Sequence, residues 1–221
     1  FDTGAVTPIS DGAAYFDGTD DYITMGDSAD MGTGDVSASC WFRPLTSAVH
    51  GATLIGKQAN YNVNSVGYGL YYRHSTATVW WNIGDGSAGD RLNEAIADIG
   101  VSEGQWIHTA GTYDQSTGVI KLYLNGVQVD TATESSLGTL NNALDLKIGH
   151  GSAYYKGNIC NVGIWSAVLT AAQIKSIMYK DYSGLTTSEK TNLVSWWNLS
   201  ALHADGSTVV DSHGSNNGTL S

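Results

Sequence analysis

The chain has 221 residues, of which 21 are acidic and only 10 are basic, so its formal net charge is −11. This acidity argues against nucleic acid, whose phosphates require clustered lysine and arginine, and against an anionic membrane surface. The sequence also lacks an apolar run of the roughly 18 residues that a transmembrane helix needs. We therefore expect neither nucleic acid nor a membrane as a partner.

The composition, with 27 glycines, 12 tyrosines, 7 tryptophans and only 2 prolines, is typical of strands joined by turns. Residues Gly12–Asp27 predict two short strands, around Ala14–Phe16 and Tyr22–Met25, which an Asp-Gly turn separates. The next segment, Val36–Pro44, alternates in polarity and places Cys40 on its apolar face. Three further strands are predicted in ATLIGKQ, YGLYYRHS and TVWWNIG.

The middle of the chain, Gln105–Val129, carries the strongest strand signals. Its two alternating runs, WIHTAGTYD and VIKLYLNGVQV, each predict a strand with one buried face. Asn125-Gly126 is a strong hairpin signal because a two-residue type I′ turn needs positive φ at both central residues. Together with a turn at Asp114–Gly118, the pattern predicts three consecutive antiparallel strands.

Two more strands, Leu146–Gly151 and Gly157–Trp165, follow this meander. In the second of them, alternation places Cys160, Val162 and Ile164 on one face. Strands thus recur every 8–14 residues or so with turn signals between them, which is typical of an antiparallel sandwich or barrel.

The pattern changes after Trp165. Thr170–Gln173 has the form of a capping box and predicts a short helix near Ala171–Met178, and Thr186–Glu189 predicts a second helical turn. Strand patterns then return in LVSWWNLS and STVVDSHGSNNGTLS. No linker divides the chain, so we predict one domain over residues 1–221, in which residues 183–221 form a trailing segment.

Four motifs, AAYFDGTDDYITMGD, VSASCWFRP, QWIHTAGTYD…IKLYLNGVQV and KGNICNVGIWSAVLTAAQI, cover roughly residues 12–178. In order and spacing they resemble the laminin-G-like branch of the concanavalin A-like lectin/glucanase superfamily. The resemblance implies an all-β, two-sheet antiparallel jelly roll. It also implies an extracellular, cell-surface or virion-surface location, since such domains occur in secreted, cell-surface and phage virion proteins. The chain begins with Phe1, which indicates a processed mature protein or an excised fragment.

The sequence predicts no enzymatic activity. Glucanases of this superfamily carry two glutamates in an ExDxxE arrangement, whereas no two glutamates here lie within five residues of each other. There is also no GxSxG nucleophile elbow and no HxxxH or HExxH pair of metal ligands. Asp114 and Asp130 are interpreted as turn acids.

The resemblance also implies that calcium is a ligand to consider, because relatives often bind it through oxygen atoms on sandwich loops. The candidate ligands are Asp17, Asp20, Asp21, Asp27, Asp211 and Asn216. The alternative is that these residues simply form turns, in which aspartate accepts hydrogen bonds from its own backbone. We therefore expect no required cofactor, and a structural calcium ion stays open.

Adjacent aromatic pairs are candidate glycan contacts, because one ring of each pair on a strand must face away from the core. The candidates are Tyr72, Trp80, Trp81, Tyr154 and Tyr155. The alternative is that outward rings cover a neighbouring strand or subunit. Two N-glycosylation sequons begin at Asn198 and Asn217, and they have meaning only in a eukaryotic secreted chain.

Cys40 and Cys160 lie on the predicted apolar faces of two strands that the resembling family pairs. The resemblance therefore implies that they are neighbours, and they would form a disulfide in an oxidising compartment. Two buried free thiols are the alternative.

The trailing segment is displaced, because in many members of the family a similar segment precedes the FDGTDDY motif. We expect its strand to expose much apolar surface, with Leu193, Trp197 and Leu199 on one face and Trp196 on the other. It closes its own sandwich or inserts into a neighbouring copy of the chain, which would build a filament. The leading hypothesis is a non-enzymatic structural or assembly module whose partners are copies of itself. The alternative is a carbohydrate-binding, lectin-like domain.

Overall fold

The computed structural model describes residues 7–10, 12–47, 51–61, 64–134, 137–200 and 207–221. In chain order, the strands among these residues are β1 (Ala14–Asp17), β2 (Ile23–Thr24), β3 (Val36–Pro44), β4 (Ala52–Lys57), β5 (Gly67–Arg73), β6 (Thr78–Gly84), β7 (Gly89–Ala95), β8 (Ile107–Asp114), β9 (Val119–Leu124), β10 (Val127–Thr133), β11 (Lys147–Ile148), β12 (Lys156–Trp165), β13 (Leu193–Trp197), β14 (Thr208–Val209) and β15 (Gly218–Leu220). The α-helices are α1 (Ala171–Ile177) and α2 (Thr187–Lys190), and 3₁₀ turns lie at His74–Thr76 and Ile96–Ile99.

These strands form two antiparallel sheets that pack face to face, which confirms the predicted sandwich. Within the described ranges, the first sheet has seven strands in the order β1-β12-β3-β8-β9-β10, and β13 pairs with β12 beside β1. The second has eight strands in the order β14-β15-β2-β11-β4-β5-β6-β7. No helix among the described residues combines the length and the apolarity that crossing a bilayer requires.

The main core lies between the two sheets and consists of the side chains that alternation turns inward. Val36 and Ile120 from the first sheet meet Leu70 and Trp81 from the second, and all four are fully buried. A side chain of this kind contributes about 1.5–3 kcal/mol when it leaves water. A second cluster lies on the outer side of the first sheet, where Ile174 and Ile177 of α1 pack on that sheet. The helices therefore cover part of the outer side of the first sheet. The outer side of the second sheet is left to other elements.

Turn and cap chemistry agrees with the sequence-based expectations. Asn125 and Gly126 have φ values of 48° and 75° and join β9 to β10, which confirms the type I′ hairpin. At the start of α1, the Thr170 side chain accepts from the Gln173 backbone N–H in a capping box. The second capping box at the start of α2 is also confirmed.

One turn of α2 carries an ion pair that is largely removed from water. Both carboxylate oxygens of Glu189 accept from Lys180 Nζ at 2.8 Å, and Glu189 is only 3% exposed. Burial alone would raise the pKa of Glu189, but hydrogen bonds from Lys180 and Thr186 outweigh it and lower the pKa to about 2. The pair ties the connection after α1 to the start of the trailing segment.

A β-bulge in β12 overturns the predicted face of Cys160. The pairing of β12 with β3 shifts between Cys160 and Gly163, and Asn161 there has a φ of 48°. The inserted residue lets Ile159 and Val162 both face the core, whereas Cys160 packs outside it with Trp41. Placing Cys160 on the same face as Val162 and Ile164 was therefore wrong.

The implied disulfide is also wrong, for the same reason. Cys160 is opposite Trp41 in the register, so Cys40, one residue earlier, points to the other side of the sheet. Both cysteines are buried free thiols. Burial raises the pKa of the Cys40 thiol and raises that of Cys160 to about 12, so both are protonated at neutral pH.

The trailing segment pairs with its own chain in this structure. Strand β13 lies against β12, with Trp197 opposite Val162, and β15 continues the second sheet beyond β2. A register shift in β13 places Leu193 on the outer side with Trp196, whereas Trp197 and Leu199 face the core. Grouping Leu193 with Trp197 and Leu199 was therefore wrong. Exchange of this segment between copies stays a prediction.

Candidate functional site

The outer face of the eight-stranded sheet brings together side chains from distant parts of the chain. Residues paired across the strands share a face, so the register identifies those that point outward. On one half of the face Lys147 lies opposite both Thr24 and Gly56. On the other half Tyr71 is opposite Trp80. We call this surface the outer face.

A groove of about 300 Å³ crosses the outer face where β11 meets β4. Its lining residues are Gly56, Gln58, Ala59, Ala143, Leu144, Asp145, Lys147, His150 and Gly151. We call it the central groove. Glycine is required at one point of its wall, because a Cβ at Gly151 would lie 2.0 Å from Thr53 Oγ1. The remaining lining includes the ammonium group of Lys147, the carboxylate of Asp145, the amide of Gln58 and the imidazole of His150.

An aromatic stack adjoins the central groove and shares two residues with it. The rings of His150 and Tyr154 are stacked with centroids 4.2 Å apart, and Tyr22 lies 5.3 Å from His150. Lys147 Nζ is 5.0 Å from the centroid of Tyr22. All four side chains are half-buried, so parts of each stay accessible to a ligand.

The imidazole of His150 is held neutral. Burial lowers its pKa, and the charge of Lys147 lowers it further. Its Nδ1 atom is buried and has no hydrogen-bond partner among the described residues. Because Nδ1 is buried, a ligand hydroxyl would meet Nε2, which donates or accepts according to the tautomer.

Tyr61 connects the groove to a second pocket farther along the face. Its ring packs at 6.5 Å from Tyr71, whose hydroxyl donates to Gln58 Oε1 in the groove, and at 5.4 Å from Trp80. The Tyr61 backbone carbonyl accepts from Asn82 Nδ2 at 2.6 Å, which fixes this loop on the sheet.

The second pocket has a volume of about 270 Å³ and is lined by Arg73, Thr76, Thr78, Trp80 and Arg91. We call it the arginine pocket. The guanidinium carbons of Arg73 and Arg91 lie 5.4 Å and 4.3 Å from the centroid of the Trp80 ring. Trp80 is only 7% exposed, so it supports the arginines rather than offering a free ring face.

The structure separates the predicted aromatic contacts into two groups. Trp80 and Tyr154 lie on the outer face, one in the arginine pocket and one in the aromatic stack. Tyr72, Trp81 and Tyr155 are fully buried in the core, so choosing them as glycan contacts was wrong. Each is the inward-facing member of its adjacent pair. Neighbouring residues in a strand face opposite sides of the sheet, so the other member of the pair is the one that faces outward.

The calcium candidates occupy different environments. Asp17, Asp20 and Asp21 place their carboxylates within 4.8 Å of one another on the turn after β1. Two of these three already accept backbone bonds, from Thr19 N at 2.7 Å and from Asp17 N at 2.9 Å. These oxygens match calcium chemically, but the turn itself also uses them.

The other candidates serve the fold. Asp211 accepts four backbone N–H bonds, including one from Trp196 at 3.0 Å, and Asn216 donates to Ser195 Oγ. Asp27 and Asp30 flank the fully buried Lys57 Nζ, which also donates to the Leu144 carbonyl at 3.0 Å. Lys57 thereby fixes a wall of the central groove.

Replacing Lys57 with methionine is expected to lower the free energy of unfolding by about 2 kcal/mol, because charge-assisted hydrogen bonds are lost while the volume stays filled. The loss is smaller than for a fully buried pair since both aspartates are partly solvated. Urea unfolding measures it. Lys175→Met, on an exposed position of α1, should change stability by no more than about 0.5 kcal/mol; equal losses in the two variants would contradict the role of Lys57.

The predicted sequons and turn acids lie as follows. Asn198 is half-buried and its side-chain oxygen accepts from the Trp196 indole, whereas Asn217 is exposed. Asp114 accepts from Ser116, whose hydroxyl contributes most to lowering its pKa, in the turn after β8. Asp114 thus has the geometry of the turn acid that the sequence indicates.

Sequence reasoning missed the cationic and small residues of the outer face. Arg73 alternates with Tyr71, and Arg91 lies in the next strand but one, so their meeting depends on sheet register. The available signal was period two within YYR, which assigns Tyr71 and Arg73 to one face. It does not reveal which face is covered. The predicted strand Leu146–Gly151 includes His150, but β11 ends at Ile148 and His150 lies beyond it, in an isolated bridge with Tyr154.

Comparisons with known proteins agree on the fold. A family model described as the concanavalin A-like lectin/glucanases superfamily matches residues 17–175. No curated protein sequence matches the chain significantly. Many solved structures are similar to it.

Three of these structures illustrate the range. A "putative carbohydrate binding protein" from Bacteroides ovatus is 18% identical with a TM-score of 0.71, covering 94% of this chain and 57% of its own. The CBM40 of a Ruminococcus gnavus sialidase, bound to α2,3-sialyllactose, is 13% identical with a TM-score of 0.59, covering 79% and 100%. A pentraxin from Limulus polyphemus is 15% identical with a TM-score of 0.56, covering 78% and 84%.

Proposed function

The chain belongs to the concanavalin A-like lectin/glucanases superfamily, and on that premise we propose that it is a non-catalytic, extracellular carbohydrate-binding module. Membership alone leaves lectins, hydrolases and scaffolds open. The glycan would bind on the outer face of the eight-stranded sheet. The Bacteroides ovatus and Ruminococcus gnavus proteins support the proposal as similar folds associated with carbohydrate.

One observation carries the proposal: the polar central groove and the aromatic stack share Lys147 and His150. Ligand sites combine apolar ring surface with a few placed polar groups that fix orientation. A sugar has the same two characters, since its C–H face is apolar and its hydroxyls donate and accept. Tyr154 can supply the ring face while Lys147 and His150 serve hydroxyls.

Among the described residues, the groove lacks the groups for glycoside hydrolysis. Two carboxyl groups at defined separation are needed, and Asp145 is the one acidic residue in the described lining. Asp145 is also engaged, because it accepts from Thr24 Oγ1 at 3.2 Å. Binding without turnover is therefore the activity that this surface supports.

Alanine at His150 or at Tyr154 is expected to weaken glycan binding at least about tenfold, because a ring that contacts a ligand centrally contributes more than 1 kcal/mol. A glycan array that includes sialyllactose identifies a ligand, and titration calorimetry then compares the variants. Tyr179→Ala is the matched control, since Tyr179 is 47% exposed beside α1. Unchanged affinity in the His150 and Tyr154 variants, with normal folding, would contradict the site.

The proposal requires no cofactor, and chelation tests this. Array binding repeated in EDTA should be unchanged. Loss of binding in EDTA would contradict this part of the proposal and would assign Asp17, Asp20 and Asp21 to a calcium ion, because theirs are the clustered carboxylates among the described residues.

A second candidate function is self-assembly through the trailing segment. It is favoured by a cleft of about 290 Å³ between the first strands and the trailing strands, lined largely by apolar residues. At its rim Tyr15 is 55% exposed and Leu220 is 38% exposed. Its occupant would be a second copy of the chain. Light scattering over a wide concentration range tests it, and a monomer at every concentration would contradict assembly.

A further inference from the structure

Arginine is scarce in this protein, and two of its three arginines lie at the arginine pocket. The whole chain has 10 basic residues against 21 acidic ones, and only three of the basic residues are arginines. Arg73 and Arg91 converge on one pocket, whereas Arg43 lies on β3 of the other sheet. Two arginines at one site place positive charge together in a chain that is acidic overall.

The strands hold the two arginines on opposite sides of one tryptophan. Arg73 is opposite Thr78, two residues before Trp80, and Arg91 is opposite Asn82, two residues after it. Both guanidinium groups lie within 5.4 Å of the same ring centroid. Cation–π contact with Trp80 and a 3.3 Å hydrogen bond from Arg91 Nη1 to the Tyr61 carbonyl fix their positions.

No acidic side chain of the described residues neutralises either arginine. Among the ion pairs of the described residues, none involves Arg73 or Arg91. Both guanidinium groups are permanently charged and lie about a Debye length apart or less, so they repel each other. Among the described residues, the bond from Arg91 Nη1 to the Tyr61 carbonyl is the one hydrogen bond that engages these guanidinium donors, and a bound anion would remove the repulsion and accept from both.

The size and surroundings of the pocket limit the anion to one small group. A polyanion such as nucleic acid is disfavoured because the remaining protein is strongly acidic. The pocket lies on the same outer face as the central groove, and Tyr61 and Tyr71 join the two. The threonines at its rim offer hydroxyls to a polar ligand.

We propose that the arginine pocket is an anion subsite that selects saccharides bearing a carboxylate or a sulfate group. The inference rests on the proposed carbohydrate-binding function and adds the class of ligand. The guanidinium fork matches both planar carboxylate and the oxygen atoms of a sulfate ester. Trp80 acts as a positioning residue that holds the two forks at the face of the sheet.

Titration calorimetry with matched pairs of saccharides tests the proposal. One pair is a uronic-acid oligosaccharide and its carboxyl-reduced counterpart, and the other is a sulfated oligosaccharide and its desulfated counterpart. We expect the wild-type protein to bind at least one anionic form about tenfold more tightly than its neutral counterpart, with a preference that shrinks as salt is added. The pair that shows the preference identifies the anion.

Substitutions locate the preference. Arg73→Gln and Arg91→Gln should each abolish the preference for the anionic form, and Arg91→Lys should lose most of it because lysine lacks the planar guanidinium fork. Arg43→Gln is the matched control, since Arg43 also contacts a tryptophan, Trp106, but on the other sheet. Equal wild-type affinity for anionic and neutral forms would overturn this inference and leave the proposed function standing. Binding of no saccharide would overturn both.

Discussion

Replacing Trp197 with alanine is expected to lower the free energy of unfolding by about 3–5 kcal/mol. Trp197 is fully buried between the sheets, and its indole N–H donates to the Asn216 carbonyl at 2.9 Å. The substitution leaves a cavity and an unpaired acceptor, and it removes the ring that lies beside the side chain of Val162 in the core. Chemical unfolding followed by tryptophan fluorescence and circular dichroism measures the loss.

Two comparisons make this prediction specific. Tyr179→Ala removes a large aromatic side chain that is 47% exposed, and we expect a change of no more than about 0.5 kcal/mol. If the trailing segment closes its own sandwich, the Trp197→Ala loss is the same at all protein concentrations. A loss that depends strongly on concentration would indicate exchange between copies, and a loss near that of Tyr179→Ala would contradict the packing of Trp197.

Glu189 is expected to make stability depend on pH in the acidic range. Its folded pKa of about 2 lies below the ordinary value of 4.5, so its contribution is present above pH 4.5 and is lost as pH falls towards 2. The shift corresponds to about 3 kcal/mol. Unfolding of wild type and Glu189→Gln should therefore differ by about this amount at pH 7 and converge near pH 2.

The control for Glu189 is a glutamine substitution at a less buried acidic residue. Glu103→Gln should lower the free energy of unfolding at pH 7 by less than Glu189→Gln does, because the Glu103 side chain is 25% exposed, against 4% for Glu189, and lacks a lysine partner among the described ion pairs. If the difference in the free energy of unfolding between wild type and Glu189→Gln stays constant between pH 7 and pH 2, the depressed pKa is contradicted. Loss of the negative charge of the carboxylate would then not explain the difference.

The sequence correctly predicted those turns and helix ends that are determined by a few neighbouring residues. Asn125-Gly126 needs positive φ whatever surrounds it, and the capping boxes at Thr170 and Thr186 satisfy their own helix ends. The errors arose where alternation is interrupted. Bulges near Asn161 and Leu193 insert one residue, and each residue beyond an inserted one then points to the opposite face.

The candidate site was less predictable because it depends on sheet register and coverage. The aromatic pairs showed that one ring of each faces outward, and Trp80 and Tyr154 do so. Which member faces outward is set by the position of the core. Arg73 and Arg91 are separated by a whole strand in sequence, so no local pattern brings their side chains to one tryptophan.

Carbohydrate binding on the outer face is tested most directly by nuclear magnetic resonance. Isotope-labelled protein would be titrated with the tightest saccharide from the array while backbone amide shifts are followed. We expect the largest, saturable changes around Gly56, Lys147 and Gly151, with further changes near Arg91 for an anionic ligand. The largest changes on the other sheet, for example at Lys121 and Gln128, or no saturable change with any saccharide, would contradict the site.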